Sequence, residues 1–178
     1  DPERFVMFAF PWGHADTPLA RFAGPRQWQR EVLREIAAHI TQNRGQLDPA
    51  AFRSATASGR GPGKSALVAW LILWMLTTRI GSSVIVSANS ENQLRAVTWA
   101  ELLKWATMAI NAHWWEPSAT KLPPAQWLTE LVERDLKKGT RYWAAEGKLW
   151  SEENPDSYAG VHNHDGMMLI FDEASGIV

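Results

Sequence analysis

One short segment has the residue types and spacing of a loop that binds phosphate. Residues 58–65 read Ser-Gly-Arg-Gly-Pro-Gly-Lys-Ser and lead into an apolar run, residues 66–75. Glycines let the backbone turn tightly, so several N–H groups can converge on a polyphosphate at a helix N-terminus. Lys64 would bring its charge to the β- and γ-phosphates, and the Ser65 hydroxyl would bind Mg²⁺. The match to G-x-x-x-x-G-K-[ST] is incomplete, because Ser58 stands where the first glycine is usual.

The segments on both sides of this loop decide between a nucleotide site and a chance Gly-Lys-Ser. Residues 52–57 predict a strand before the loop, and residues 66–75 predict a buried helix after it. A strand, a glycine-rich loop and a helix in this order are the context that a phosphate-binding loop requires. We therefore predict that ATP is bound by Gly59, Arg60, Gly61, Pro62, Gly63, Lys64, Ser65 and Ala66.

A second segment ends in two adjacent carboxylates. Residues 167–173 read Met-Met-Leu-Ile-Phe-Asp-Glu, which predicts a buried parallel strand with acids at its C-terminal edge. Asp172 would hold Mg²⁺. Glu173, on the other side of the strand, would orient and polarise a water for attack on the γ-phosphate. The alternative is a strand that merely ends in an acidic turn. Together with the loop, the segment predicts ATP hydrolysis, with Lys64 and Glu173 as catalytic residues.

Composition narrows the class of protein. The chain has 178 residues, of which 46% are hydrophobic, so it can bury a core and predicts a single domain. It contains no cysteine, which excludes disulfides and thiolate metal sites. The net charge of −1 does not indicate a nucleic-acid groove. No signal peptide or membrane-spanning segment is predicted.

These patterns predict an α/β fold: a P-loop NTPase of the RecA/ASCE-like type, with a parallel sheet and helices on both faces. Residues 1–24 are expected to form an extended N-terminal arm, and residues 25–178 the ATPase domain. Such a sheet needs about five parallel strands. Only three or four can be counted, so we expect a core truncated after the second carboxylate strand. The other predicted elements are helices at 26–42, 91–113 and 126–138, a strand at 83–88, and a strand pair or irregular layer at 141–150.

Four segments together resemble the ATPase domain of the large terminase subunit of tailed bacteriophages and prophages. They are Gly-Pro-Arg-Gln-Trp-Gln at 24–29, the loop at 59–65, Ser-Ala-Asn-Ser-Glu-Asn-Gln at 87–93, and residues 153–162 leading to the strand and Asp-Glu-Ala-Ser-Gly at 169–176. The resemblance spans nearly the whole chain. It implies a motor that packages double-stranded viral DNA. Such a motor self-associates into a ring on the portal, works with the small terminase subunit at the procapsid in the host cytoplasm, and continues into a nuclease domain.

The resemblance also implies roles for two further residues. Gln29 would read the adenine edge, since its amide offers a donor and an acceptor. Arg60 would sense or stabilise the γ-phosphate, which makes it a third catalytic residue. Many terminases carry an Arg-Gly pair whose arginine reaches the neighbouring subunit's site, but residues 159–160 here are Ala-Gly. Such an arginine would have to come from elsewhere, with Arg95 and Arg141 as candidates within the chain.

Two other readings remain open. A helicase-type or remodelling ATPase shares the adenine-reading glutamine, the phosphate loop and the Asp-Glu-Ala run. Helicases of that type commonly carry Asp or His after this run, whereas Ser175 follows it here. A nucleotide-gated assembly module would bind ATP to form rings with little turnover, but such a switch does not need a carboxylate like Glu173 to orient water.

Overall fold

The computed structural model describes residues 1–46, 50–56, 61, 63–88, 90–149 and 163–172. Within these ranges the elements follow one another as α1 Pro2–Ala9, α2 Gln27–Gln42, α3 Lys64–Thr78, β1 Ser83–Ala88, a π-helix Gln93–Trp99, α4 Ala100–Met108, a 3₁₀ turn Ala112–Trp114, β2 Lys121–Leu122, α5 Gln126–Asp135, β3 Ala144–Leu149 and β4 Met167–Asp172. Helices α2, α3 and α5 and strands β1 and β4 confirm elements predicted at those positions. The predicted burial of β4 is wrong: the strand lies at the edge of the sheet that the structure describes, and its residues alternate between exposed and half-buried.

The strands form one mixed, mostly parallel sheet. Their order is β2-β3-β1-β4, and β1 pairs in parallel with both β3 and β4, while β2 pairs antiparallel with β3. The parallel register places Ala88, Leu149 and Asp172 side by side at one edge. The predicted α/β class is confirmed, and Asp172 lies at the carboxyl edge of the sheet, as predicted.

The hydrophobic core lies against one face of this sheet. Val84, Val86 and Ala88 of β1 are buried there, and Met168 and Ile170 of β4 pack beside them. All five α-helices add buried residues to the same core, among them Val6, Leu33, Leu73, Leu102 and Val132. Helices on the opposite face stay a prediction.

Helix α3 is the centre of that core. Its buried residues surround the helix axis, so it is apolar on all sides, which is typical of a helix enclosed by other elements. Trp70 and Trp74 are 2% and 3% exposed, in keeping with the buried helix predicted over residues 66–75. The Trp70 ring meets the Trp105 ring edge-on, with centroids 4.9 Å apart. No helix in the described part of the chain is long and apolar enough to cross a lipid bilayer.

The N-terminal residues correct one prediction. An extended arm was expected over residues 1–24, but residues 2–9 form α1. The Asp1 side chain accepts a hydrogen bond from the Arg4 N–H at 3.0 Å, and Pro2 stands in the first turn, so the helix has a capped start. Val6 and Ala9 are buried in the common core. The cap and the proline were the sequence signals for this helix.

The strand predicted over residues 52–57 is wrong where the structure describes it. Residues 51–56 have no regular secondary structure and are exposed. Phe52 is the only large apolar residue in this segment, and its ring contacts the ring of His39. A central strand is stabilised mainly by burying apolar side chains, and Arg, Ser, Ala and Thr offer little to bury.

Two further boundaries differ from expectation. The helix predicted over residues 91–113 contains the π-helix and ends at Met108. It ends there because Ala109 is extended and the Ile110 N–H donates to the Ala9 carbonyl of α1 at 2.8 Å. The strand pair or irregular layer predicted over residues 141–150 is a single strand, β3, paired with β1.

Glu3 of α1 forms ion pairs with two arginines of α2. Its carboxylate accepts hydrogen bonds from Nε and Nη2 of Arg34 at 2.6 and 2.9 Å, and Arg30 Nη1 lies 3.4 Å away. The Arg34 hydrogen bond is the main reason that the pKa of Glu3 lies below its ordinary value. A carboxylate with a lowered folded pKa stabilises the fold above its unfolded pKa, and this contribution disappears as the pH falls through the folded pKa.

We expect Glu3→Gln to lower the free energy of unfolding at neutral pH and to reduce its decrease on acidification. The physical reason is that glutamine carries no charge to lose as the pH falls through the lowered pKa that Glu3 has in the folded chain. Urea unfolding at neutral and acidic pH measures this, with the exposed Glu35→Gln as the matched control. An acid dependence as steep in Glu3→Gln as in the parent chain would contradict the assigned role.

Candidate functional site

The N-terminus of α3 has the features of an anion site. Gly63 precedes the helix with φ of +91°, in the left-handed region, and as a glycine it has no side chain to cap the first turn. The first N–H groups of a helix have no partner within it and form the positive end of its dipole. Lys64, Ser65 and Ala66 occupy this first turn. An anion at this position would face backbone N–H groups and a lysine.

Two side chains at the start of α2 donate hydrogen bonds to carbonyl groups of the loop. Nη1 of Arg26 donates to the Gly61 carbonyl at 3.2 Å, and Nε2 of Gln29 donates to the Gly63 carbonyl at 2.8 Å. Carbonyl oxygens repel a phosphate, so a phosphate loop must direct them away from its ligand while its N–H groups face it. These two hydrogen bonds tie carbonyls of the loop to α2.

Gln29, on α2, binds the loop through its side-chain amide. Its side chain is 3% exposed, its Oε1 accepts from the Arg26 N–H at 2.8 Å, and its Nε2 is bound to Gly63. Both ends of the amide are therefore engaged within the chain. Reading adenine stays a prediction, and it requires Gln29 to exchange these bonds for the base. The sequence signal for the contact with Arg26 was the position of Gln29. It lies three residues after the N-cap residue Arg26, which is the spacing of a capping box.

The C-terminal end of α3 lies where β1 and β4 begin. At its C-terminal end, the Ser82 hydroxyl donates to the Met75 carbonyl at 3.3 Å, and the Ser83 N–H donates to the Gly166 carbonyl at 3.1 Å, where β1 and β4 begin. The helix contacts both strands. Fifteen helical residues extend about 22 Å and six strand residues about 20 Å. Helices that connect parallel strands run antiparallel to them, so we infer that the start of α3 lies toward the carboxyl edge that carries Asp172, where parallel sheets bind ligands.

Asp172 is half-buried on the core face of β4. Its Oδ2 accepts hydrogen bonds from the Thr98 hydroxyl and from Nε2 of Gln93, the latter at 3.4 Å. Its Oδ1 receives no hydrogen bond from the residues that the structure describes. One oxygen of the carboxylate is held by the π-helix, and the other can serve as a ligand.

The chemistry of Ser65 and Asp172 fits Mg²⁺. A hydroxyl and a carboxylate are oxygen ligands, and Mg²⁺ at nucleotide sites uses one or two protein ligands together with phosphate oxygens and water. Within the described ranges, no three His, Asp or Glu side chains cluster as a metal site. The pair Ser65 and Asp172 therefore fits a metal that is delivered with a nucleotide better than a metal that is held by protein alone.

Four of the predicted site residues, Gly59, Arg60, Pro62 and Glu173, lie outside the described residues. The two candidates for an arginine acting on a neighbouring subunit are described and exposed. Arg95 forms an ion pair with Glu91 at 2.9 Å, and the Arg141 guanidinium lies 5.3 Å from the centre of the Tyr142 ring. Their role between subunits stays a prediction.

Gln93 and Thr98 are the functional candidates that the sequence did not reveal. Both reach Asp172, although they are five residues apart. On an α-helix, residues with this spacing lie about 140° apart around the axis and cannot share one contact. The π-helix over Gln93–Trp99 makes hydrogen bonds over five residues and brings the two side chains together. The local sequence carried no signal for this helix type.

We expect Gly63→Ala to destabilise the fold by at least about 1–2 kcal/mol, the cost of placing an ordinary residue in the left-handed region. The new Cβ would also lie only 2.8 Å from Nε2 of Gln29. Chemical denaturation measures the loss. The matched control is Gly139→Ala, at an exposed position where a Cβ meets nothing within 4 Å. Equal stability of the two variants would show that Gly63 is not constrained as described.

Comparisons of this chain with protein-family models, with curated proteins and with solved structures found no match. What the site does is therefore inferred from its own residues. They are a helix start that includes a lysine and a serine, and a carboxylate held at the carboxyl edge of the sheet. This combination suits a phosphorylated ligand that arrives with a divalent cation.

Proposed function

We propose that this chain binds ATP with Mg²⁺ and hydrolyses it. The proposal is supported by the residues at the start of α3, Lys64 and Ser65, and by our inference that this start lies toward the same end of the mostly parallel sheet as the Asp172 carboxylate. The predicted strand before the loop is absent over residues 52–56, so the proposal does not depend on it. It depends on the start of α3, which supplies positive charge for phosphate, and on Asp172, which supplies oxygen for a cation.

Each residue of the site has a distinct task in this proposal. The first-turn N–H groups of α3 and the Lys64 ammonium bind the β- and γ-phosphates. Ser65 and Asp172 hold Mg²⁺, which when bound neutralises charge on the phosphates. Glu173 orients a water and takes its proton as the water oxygen attacks the γ-phosphorus. The bond to the bridging oxygen breaks, and ADP and inorganic phosphate leave. Arg60 stabilises the charge on the γ-phosphoryl group.

The biological role that we propose is packaging of viral DNA by the large terminase subunit. The support is the resemblance in four segments and their order along the chain. The proposed partners are double-stranded DNA, the portal, the small terminase subunit and further copies of this chain in a ring. A net charge of −1 provides no excess of cations for phosphates, so we propose that the chain binds DNA weakly by itself. Within the motor, the DNA-binding charge would come from the ring or from another domain.

Glu173 and Ser175 favour this role over the alternatives. A nucleotide-gated assembly module does not need a carboxylate positioned to activate water, whereas Glu173 directly follows the proposed Mg²⁺ ligand. A helicase-type ATPase would more commonly carry Asp or His where Ser175 stands. An acidic nuclease site in the protein that contains this chain would support the terminase role, and a second RecA-like domain would support a helicase.

Substitutions of the two carboxylates test the proposed reaction. We expect Glu173→Gln to keep Mg²⁺·ATP bound and to lower kcat by about two to four orders of magnitude, the scale of losing a positioned general base. Asp172→Asn should instead weaken ATP binding only when Mg²⁺ is present. Isothermal titration with and without Mg²⁺ and steady-state ATPase assays separate the two effects. Mild and equal losses in both variants would point to an acidic turn without a catalytic role.

A further inference from the structure

The Asp172 carboxylate is held by the π-helix that follows β1. We propose that Thr98 and Gln93 are positioning residues, which hold Oδ2 of Asp172 so that Oδ1 is directed to the divalent cation. This inference rests on the proposed function and adds a specific support for its metal ligand. Neither residue belongs to the phosphate loop or to the carboxylate strand. Both act through Asp172 and touch neither the nucleotide nor the reacting water.

Thr98 is well suited to hold a carboxylate in one orientation. Its side chain is 1% exposed, and β-branching restricts the rotation of its first side-chain torsion. A hydrogen bond from a hydroxyl to a carboxylate is a strong one, because the acceptor is charged. The Gln93 carbonyl oxygen, 3.3 Å from this hydroxyl, is a second acceptor for its single proton, and Asp172 is the closer and charged acceptor. A fixed donor leaves the carboxylate little freedom to rotate.

The π-helix itself is held from two sides. Leu94 packs against β3 at Gly147, where an added Cβ would lie 3.2 Å from Cδ2 of Leu94, so the glycine permits a close approach. At the other end of the π-helix, Nε1 of Trp99 donates to the Ser118 carbonyl at 3.0 Å. The π-helix is therefore held in place by its contacts with β3 and with the loop at Ser118. Neither contact involves Asp172.

The five-residue register is what makes both contacts possible. If the segment were an α-helix, Gln93 and Thr98 would lie about 140° apart, and only one could face β4. The unusual helix type is thus explained by the need to bring two donors to one carboxylate, in keeping with the frequent occurrence of π-turns at functional sites. It also gives a role to Gln93, the last residue of the segment at 87–93 on which the resemblance partly rests.

Thr98→Val and Thr98→Ser test the inference as a matched pair. Valine keeps the shape of threonine but loses the hydroxyl, and serine keeps the hydroxyl. We expect Thr98→Val to raise the Mg²⁺ concentration for half-maximal ATP hydrolysis about tenfold, the effect of one hydrogen bond to a charged group. It should reduce the strengthening of ATP binding by Mg²⁺ by a similar factor. ATP affinity in EDTA should stay unchanged, and Thr98→Ser should behave like the parent chain.

Three results would overturn the positioning role. One is an unchanged Mg²⁺ dependence in Thr98→Val. Another is an equal loss of ATP affinity with Mg²⁺ and in EDTA, which would indicate general damage to the site. If Thr98→Val does not fold, Gln93→Ala gives the same readout at a partly exposed position, with a smaller shift expected for its longer hydrogen bond, and no shift there would count against the role. Failure of the parent chain to bind ATP at all would instead refute the proposed function.

Discussion

Burial of α3 is the constraint on which the rest of the structure depends. The helix is apolar on all sides, and Leu73, Ile72 and Leu76 are fully enclosed. A helix buried in this way cannot rotate or slide without exposing apolar surface, at about 25 cal/mol per Å². Its C-terminal end is joined to the start of β1 by a short turn that includes Ser82. We infer that its N-terminal end is directed toward the carboxyl edge of the sheet, so the candidate site would result from how this core packs.

Two neighbouring elements complete the site from different sides. Helix α2 binds carbonyls of the loop through Arg26 and Gln29, and the π-helix binds the Asp172 carboxylate through Thr98 and Gln93. In both cases polar side chains, Gln29 and Thr98 among them nearly fully buried, satisfy groups that would otherwise be costly to enclose. The same bonds orient these groups. Stability and the proposed binding of nucleotide and cation thus depend on the same contacts.

The parts of this structure that sequence reasoning predicted are those with dense apolar patterns. The runs of α3 and β1 were correctly predicted as buried elements, whereas β4 was correctly predicted as a parallel strand but is an edge strand with alternating exposed and half-buried residues. Prediction failed where the local sequence pattern was weak, or where the structure depends on contacts between residues that are distant in sequence. Residues 52–56 offered too little apolar surface for a strand, and the cap at Asp1 was overlooked. The π-helix depends on contacts with Gly147 and Ser118, which lie outside the segment.

The most direct test of the nucleotide site is the affinity for Mg²⁺·ATP of the parent chain and of Lys64→Ala, measured by isothermal titration. The matched control is Lys104→Ala, a surface lysine that pairs with Glu101 on α4. If the N-terminus of α3 binds the phosphates, the parent chain and Lys104→Ala bind alike, and Lys64→Ala loses affinity by about tenfold or more. Equal affinity of all three proteins, or binding by none of them, would contradict the account.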